Sequence, residues 1–301
     1  MVRMDDLIDN SAAEARNKQL AAFKSTLVSV FVNIGLTITQ VFTGLYAGSQ
    51  GLIADGIHSL TDLLADFVVL LTNHHSGKEA DDDHHYGHQR YETAASLFLG
   101  ASLLVVGLGM LWRAGEKVID PPPLGQIQVT ALYVAIAALI IKELLFRYML
   151  AVATKVRSSM LVANAWHARS DAASSFVVAV GIAGALLGFP ILDSVGALIV
   201  GLMIARTGWQ FGWNALHDLM DRSATEEENL KIQEIILTTE GVKGLHELRT
   251  RKTGDMILVD VHIEVDHAIT VQQGHDIALS ARNRIMKELP VLDVMTHLDP
   301  I

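Results

Sequence analysis

The 301-residue sequence predicts a membrane domain of six α-helices followed by a small cytoplasmic α+β domain. Three observations carry that expectation. Hydrophobic residues make up 50% of the chain and charged residues only 19%, with a mean hydropathy of +0.34, whereas a soluble domain carries about 25% charged residues. The apolar residues fall into long runs broken by turn signals. Composition then changes at Asp221-Arg222-Ser223-Ala224-Thr225: residues 223–301 hold 8 Lys and Arg against 14 Asp and Glu, which is −6 of the net −10. The absence of Cys removes disulfides, thiolate metal sites and cysteine nucleophiles. The acidic balance argues against nucleic acid as a partner.

Spanning a bilayer takes about 20 mostly apolar residues. Six runs qualify: 23–46, 51–72, 93–119, 126–153, 159–187 and 191–219. Breaks fall at Gly48-Ser49-Gln50-Gly51, Pro121-Pro122-Pro123 and Gly188-Phe189-Pro190. Those three connections hold no Lys or Arg, while the opposite side holds Arg16, Lys18, Lys24, Lys78, Arg90, Lys155, Arg157 and Arg222. The positive-inside rule therefore places both termini in the cytoplasm. The organisation expected is a cytoplasmic N-terminal segment (1–22), a transmembrane domain (23–222) and a cytoplasmic domain (223–301).

Ionisable groups inside a bilayer are expensive, so each is a functional hypothesis. The second helix carries Asp55, His58, Asp62 and Asp66. At about 100° per residue these share an arc of roughly 80°. The fifth helix carries His167 and Asp171, again four apart on one face. With a rise of about 1.5 Å per residue, the two pairs overlap in depth within about 9 Å. His58, Asp62, His167 and Asp171 can then converge as a tetrahedral set of two imidazoles and two carboxylates, which suits Zn(II). These ligands bind only when deprotonated, so metal and protons compete for them.

Two further groups stand outside the helices. Between helices two and three, His74, His75, Asp81, Asp82, Asp83, His84, His85 and His88 crowd into fifteen residues, a pattern that favours metal binding over an incidental acidic loop. In the last domain, residues 226–241 form an amphipathic helix opened by a capping box from Thr225 to Glu228. Strands at 245–252 and 256–265 flank the turn Thr253-Gly254-Asp255, a helix covers 271–289, and a last strand covers 291–298. The order α-β-β-α-β gives an α+β domain with both helices on one sheet face. His297 and Asp299, two apart on that strand, share one face.

The pairs His58-Ser-Leu-Thr-Asp62 and His167-Ala-Arg-Ser-Asp171, on the second and fifth of six helices, resemble the cation diffusion facilitators. Leu52-Ile53-Ala54-Asp55-Gly56, Tyr86-Gly87-His88 and Leu248-Arg249-Thr250-Arg251 extend the resemblance over almost the whole chain, and it is closest to the bacterial zinc/iron-efflux branch. The resemblance implies proton-coupled export of divalent metal by a homodimer in the bacterial inner membrane, and a copper-chaperone-like tail fold. It implies a loop metal site at Asp81, His84 and His88. It implies a two-metal tail site at His246, His262, His297 and Asp299, with Asp299 bridging and His275 contributing. It also implies an ion pair between Arg90 and Asp221. Two features depart from the family pattern: Asp66 continues the polar stripe, and Arg169 faces away from the ligands, with Asp66 or Glu143 as its expected acidic partner.

The function expected is therefore secondary active transport, with Zn first and Fe, Cd or Co possible, and with no cofactor beyond the metal as substrate and structural ion. No Gly-x-x-x-x-Gly-Lys-Ser/Thr run is present to bind a nucleotide. An intramembrane metalloenzyme would need a general base beside an open coordination position, and no His-Glu-x-x-His motif supplies one. A passive channel favours weak multi-ion sites, and a membrane metal sensor would need an output domain. Both are weaker readings.

Overall fold

A computed structural model describes residues 4–76, 78, 80–120, 127–155, 159–254 and 256–301 of the chain. The triple-proline break at 121–123, Arg157 and the turn residue Asp255 lie outside the described residues, as do the side chains of Asp66, His74, His75 and His167. Six long helices come first: α1 (Met4–Ala47), α2 (Gln50–Ser76), α3 (Arg90–Ile119), α4 (Val129–Lys155), α5 (Ser159–Leu186) and α6 (Ile191–Leu219). The tail follows as α7 (Glu226–Leu237), β1 (Val242–Thr253), β2 (Met256–Val265), α8 (Val271–Glu288) and β3 (Val291–Pro300).

Among the described residues, four stretches are long and apolar enough to cross a membrane: Leu27–Ala47, Arg90–Ile119, Val129–Lys155 and Ile191–Leu219. The other two long helices, α2 and α5, are those that carry the paired His and Asp. The first helix differs from expectation at its start. It begins at Met4, so the segment expected to precede it continues the same 44-residue helix.

Packing divides the chain into two compact units. One joins Met1–Phe67 to Ser102–Gly208, and the other joins Val68–Ala101 to Trp209–Ile301. Composition places a boundary at 222/223, whereas packing groups the histidine-acid loop and the neighbouring helix ends with the tail.

Within the first unit, small residues let helices approach closely, as is usual in membranes. Gly56 on α2 is one such point: a Cβ there would meet Val41 Cγ2 of α1 at 2.7 Å. That approach sets Gln40 of α1 against Asp55 of α2.

Within the second unit, the tail forms a three-stranded sheet in the order β1-β2-β3, with β1 antiparallel and β3 parallel to β2. Alternate residues of β2, Ile257, Val259, Val261, Ile263 and Val265, are buried with Ile232, Ile235 and Ile236 of α7 and Ala281 and Ile285 of α8. Both helices therefore cover one face, as the period-2 pattern of β2 requires. The capping box of α7 is present, with Thr225 accepting from the Glu228 N–H and Glu228 accepting from the Thr225 N–H. A second one, Thr270 with Gln273, opens α8. Helix α7 ends at Leu237, four residues before the expected stop, because Gly241 (φ +91°) belongs to the turn that starts β1.

Candidate metal centres

The helical spacing of α2 and α5 brings three of the four expected intramembrane ligands together. His58 Nδ1 lies 3.7 Å from Asp62 Oδ2, and His58 Nε2 lies 3.8 Å from Asp171 Oδ1. One ligand atom from each of His58, Asp62 and Asp171 falls within 4.8 Å of the others, close enough to share an ion. His58 is buried and the two carboxylates are half-buried. His167 sits on α5 four residues before Asp171, with its side chain outside the described residues.

Beside these ligands lies a feature that sequence reasoning missed. Asp55, fully buried, receives Lys142 Nζ of α4 at 3.0 Å and Ser175 Oγ of α5 at 2.6 Å. Gln40 Nε2 of α1 also donates to it, and Ser174 Oγ lies 3.3 Å away. Lys142 is 2% exposed, so both charges of this pair are withdrawn from solvent and lipid alike. A buried carboxylate persists only when paired and hydrogen-bonded, and here three helices, α1, α4 and α5, supply the donors. Ser174 also sits 2.7 Å from the backbone carbonyl of Asp171, one step from the His58 cluster.

Arg169 faces away from the ligands, as its position on α5 predicts. Its guanidinium lies 5.1 Å from the ring centre of Phe146 and 5.0 Å from that of Trp166. The expected pairing with Glu143 does not form, because Glu143 accepts from Arg147 at 2.8 Å one turn along its own helix. Aromatic faces satisfy the cation instead. The other expected partner, Asp66, lies outside the described side chains.

The loop residues Asp81, His84 and His88 form a second cluster, again with one ligand atom each within 4.8 Å. Asp81 Oδ1 is 3.3 Å from His84 Nδ1, and Asp81 Oδ2 is 3.3 Å from His88 Nε2. Desolvation pushes the Asp81 carboxyl up, but the N–H groups of His84 and Asp83 and the imidazoles of His88 and His84 outweigh it and hold it below the ordinary carboxylate value. A carboxylate held ionised is ready to ligate without first losing a proton. Gly87 (φ +77°) turns the chain so that His88 follows on the same side. Next to it, Arg90 Nη2 meets Asp221 Oδ1 at 2.7 Å, with both side chains about half-exposed.

In the tail, strand register sets the geometry. His246 pairs with His262 across β1 and β2, and His262 pairs with His297 across β2 and β3, so three imidazoles form a row on the face away from the helices. Their ring centres are 5.0 Å and 4.6 Å apart along the row. Asp299 Oδ2 lies 2.9 Å from His262 Nδ1 and 3.3 Å from His246 Nε2, while its Oδ1 lies 3.4 Å from His297 Nε2. One carboxylate thus faces different imidazoles with its two oxygens, the arrangement a bridging ligand needs. Glu264, on the same face of β2, adds an oxygen 3.2 Å from His246 Nδ1; its alternation with His262 was the available signal. A bulge after His246, with Glu247 at φ +47°, reshapes the strand at the edge of the row. His275 is exposed on α8 and is not part of the His246, His262 and Asp299 group.

The profile of the cation efflux transmembrane domain matches residues 26–220, and that of the cation efflux protein cytoplasmic domain matches residues 224–301. Metal tolerance protein C1 of Arabidopsis thaliana is 35% identical over 283 residues, covering 89% of this chain and 60% of that protein. The chain therefore spans less than two thirds of that relative's length. The cation-efflux pump FieF of Pectobacterium atrosepticum is 30% identical over 292 residues, covering 95% of this chain and 94% of that protein. The manganese efflux system protein MneP of Bacillus subtilis is 29% identical over 294 residues, covering 95% of this chain and 98% of that protein.

Proposed function

The chain is a multi-pass membrane protein of the cation efflux (cation diffusion facilitator) family, and from that premise we propose that it exports divalent metal ions from the cytoplasm in exchange for protons. The observation that carries the reading is the convergence of His58, Asp62 and Asp171 from two helices of the membrane domain. With His167, four residues before Asp171 on α5, the proposed donor set is two imidazoles and two carboxylates. Zn(II) is the first candidate for such a set, and Fe(II), Cd(II) and Co(II) use the same donors. The relative named for manganese efflux keeps Mn(II) among the metals to be tested.

Proton exchange follows from the chemistry of the donors. An imidazole or carboxylate that binds a metal must first lose its proton, so protonation from the outer side displaces the ion and deprotonation on the inner side restores affinity. No resident cofactor enters this cycle. The metal is cargo in the membrane and a structural ion in the tail, where the row of three His and Asp299 joins two copies of the chain as a dimer. In this reading the protein works in the bacterial cytoplasmic membrane, as the family resemblance suggests, with both termini inside, the orientation that the distribution of Lys and Arg favours.

The test is flux into proteoliposomes of the purified full-length protein under an imposed pH gradient, with Zn, Fe, Co, Cd and Mn in turn. Saturable uptake that responds to the pH gradient and is lost in Asp62→Ala and Asp171→Ala is expected. Normal transport by those two variants would overturn the reading.

A further inference from the structure

The Asp55–Lys142 pair is not required by the cargo site, yet it places a third carboxylate next to it. Asp55 lies one helical turn from His58. A single hydroxyl, that of Ser174, stands between the Asp55 carboxylate at 3.3 Å and the backbone carbonyl of the ligand Asp171 at 2.7 Å. The Asp55 oxygens are nevertheless occupied: Lys142 at 3.0 Å and Ser174 face Oδ1, while Ser175 at 2.6 Å and Gln40 face Oδ2.

Three of these donors are neutral, and Lys142 alone brings charge. A fully buried carboxylate in a low-dielectric interior must have a counter-cation or lose its charge. With Lys142 present the requirement is met by the protein. Without it, a divalent ion at the neighbouring site, one helical turn away on α2, can supply the positive charge.

We propose that Lys142 is a built-in counter-ion that withholds Asp55 from the cargo and so sets metal preference: with the carboxylate claimed, the transport site offers two imidazoles and two carboxylates, and with it released the site becomes oxygen-rich. Imidazole-rich sites suit Zn(II), whereas additional carboxylate oxygens favour hard ions such as Mn(II). Lys142 is thus a specificity-determining residue that acts through Asp55 and does not touch the cargo. The inference rests on the transport reading above.

The experiment measures apparent KM for Zn(II) and for Mn(II) in proteoliposomes carrying the full chain as wild type, Lys142→Met, the double variant Asp55→Asn/Lys142→Met, and Asp62→Ala. Lys142→Met should lower the ratio of the Mn(II) KM to the Zn(II) KM by about tenfold, a free-energy difference of roughly 1.4 kcal/mol. The double variant should return that ratio to the wild-type value. An unmoved ratio in Lys142→Met overturns the proposal, and so does a shift that persists in the double variant, because packing and not Asp55 would then be responsible.

Should Lys142→Met fail to insert, Lys142→Gln takes its place, keeping a donor to Asp55 and losing the charge. Should both fail, the double variant decides alone: a wild-type ratio supports the proposal and a changed ratio overturns it. Absence of flux in the wild type, or unaltered flux in Asp62→Ala, would instead sink the transport reading, a result separable from a ratio that does not move.

Discussion

Asp193 on α6 accepts a hydrogen bond from the Ser49 hydroxyl, 2.6 Å away, at the first turn of α2. The same carboxylate accepts from the N–H groups of Gln50 at 2.6 Å and Gly51 at 3.2 Å, while Ser49 Oγ accepts from the Leu52 N–H at 3.1 Å. The start of the helix that carries His58 and Asp62 is thereby satisfied by a residue 144 positions later in the chain. Helix N-termini leave N–H groups without intrahelical partners and favour negative charge.

Asp193→Ala removes the acceptor and leaves these buried donors unmet, at a cost of about 1–3 kcal/mol. Thermal unfolding of the purified full-length protein in detergent should show a lower Tm, and Asp193→Asn, which keeps an acceptor oxygen, should lose less. An unchanged Tm in the alanine variant would refute the capping role.

What could be read beforehand follows from what sequence periodicity encodes. The approach of His58 to Asp62 is local, since residues four apart share a helix face, and the partnership of Thr225 with Glu228 is equally local. The row His246, His262 and His297 could be approached only through the family resemblance, because strand register is a non-local property. Lys142 had no signal at all: one Lys in an apolar run says nothing of which helix its face will meet. Arg169 shows the opposite failure. Its charge suggests an acidic partner, whereas the groups it meets are aromatic: Trp166, three residues away, and Phe146 on the neighbouring helix.

Asp221 holds two roles that substitution can separate. It has φ +57° just past α6, where its N–H bonds to the Asp218 carbonyl and the Arg222 N–H to the His217 carbonyl, the pattern of a left-handed helix cap. Its ion pair with Arg90 is half-exposed and contributes about 0–1 kcal/mol. Asp221→Gly removes the Cβ from the left-handed region and should leave Tm at or above wild type, while Arg90→Ala should leave it near wild type. Asp221→Ala keeps a Cβ in the left-handed region but loses the short polar side chain that makes Asp tolerant of it, and should cost about 0.5–1 kcal/mol, more than Arg90→Ala. Equal losses in Arg90→Ala and Asp221→Ala would assign the stability to the ion pair instead.

Glu228 gives the tail a defined acid sensitivity. The Thr225 N–H holds its carboxyl below the ordinary value; burial opposes this, and the Thr225 hydroxyl and Lys252 add to it. A folded-state value below the unfolded one contributes stability that is fully present above the unfolded value of 4.5 and is lost as pH falls through the folded one. The tail has its own buried core, built from residues of α7, α8 and all three strands, so residues 223–301 can be measured alone. Between pH of about 6 and about 3.5 the wild-type Tm should fall further than that of Glu228→Gln, in which the side chain at this position does not titrate. Parallel curves would show that the capping carboxylate does not govern the acid limb.

The tail cluster leads to a graded prediction, because its residues are not equivalent in the geometry. Asp299 reaches His262 and His246 with one oxygen and His297 with the other, and His297, at the end of the row, is the most exposed of the three imidazoles. An ion bound to the folded tail and not to the unfolded chain stabilises it by mass action, about 2.7 kcal/mol at a hundredfold excess over Kd. Zn(II) should therefore raise the Tm of residues 223–301, and chelation should reverse the gain. His297→Ala should keep part of the rise, since His246, His262 and one oxygen of Asp299 remain. Asp299→Ala should abolish it, since the one carboxylate common to all three imidazoles is gone. Glu264→Gln should fall between them, as Glu264 contacts one imidazole of the row, His246. Sedimentation of the same proteins with and without Zn(II) separates two sources of the gain. A Tm rise accompanied by dimerisation places the ions between two acidic tails, whose net −6 charge each would otherwise repel. A rise in a strictly monomeric tail confines the metal to a single chain, and no rise at saturating Zn(II) removes the tail site altogether.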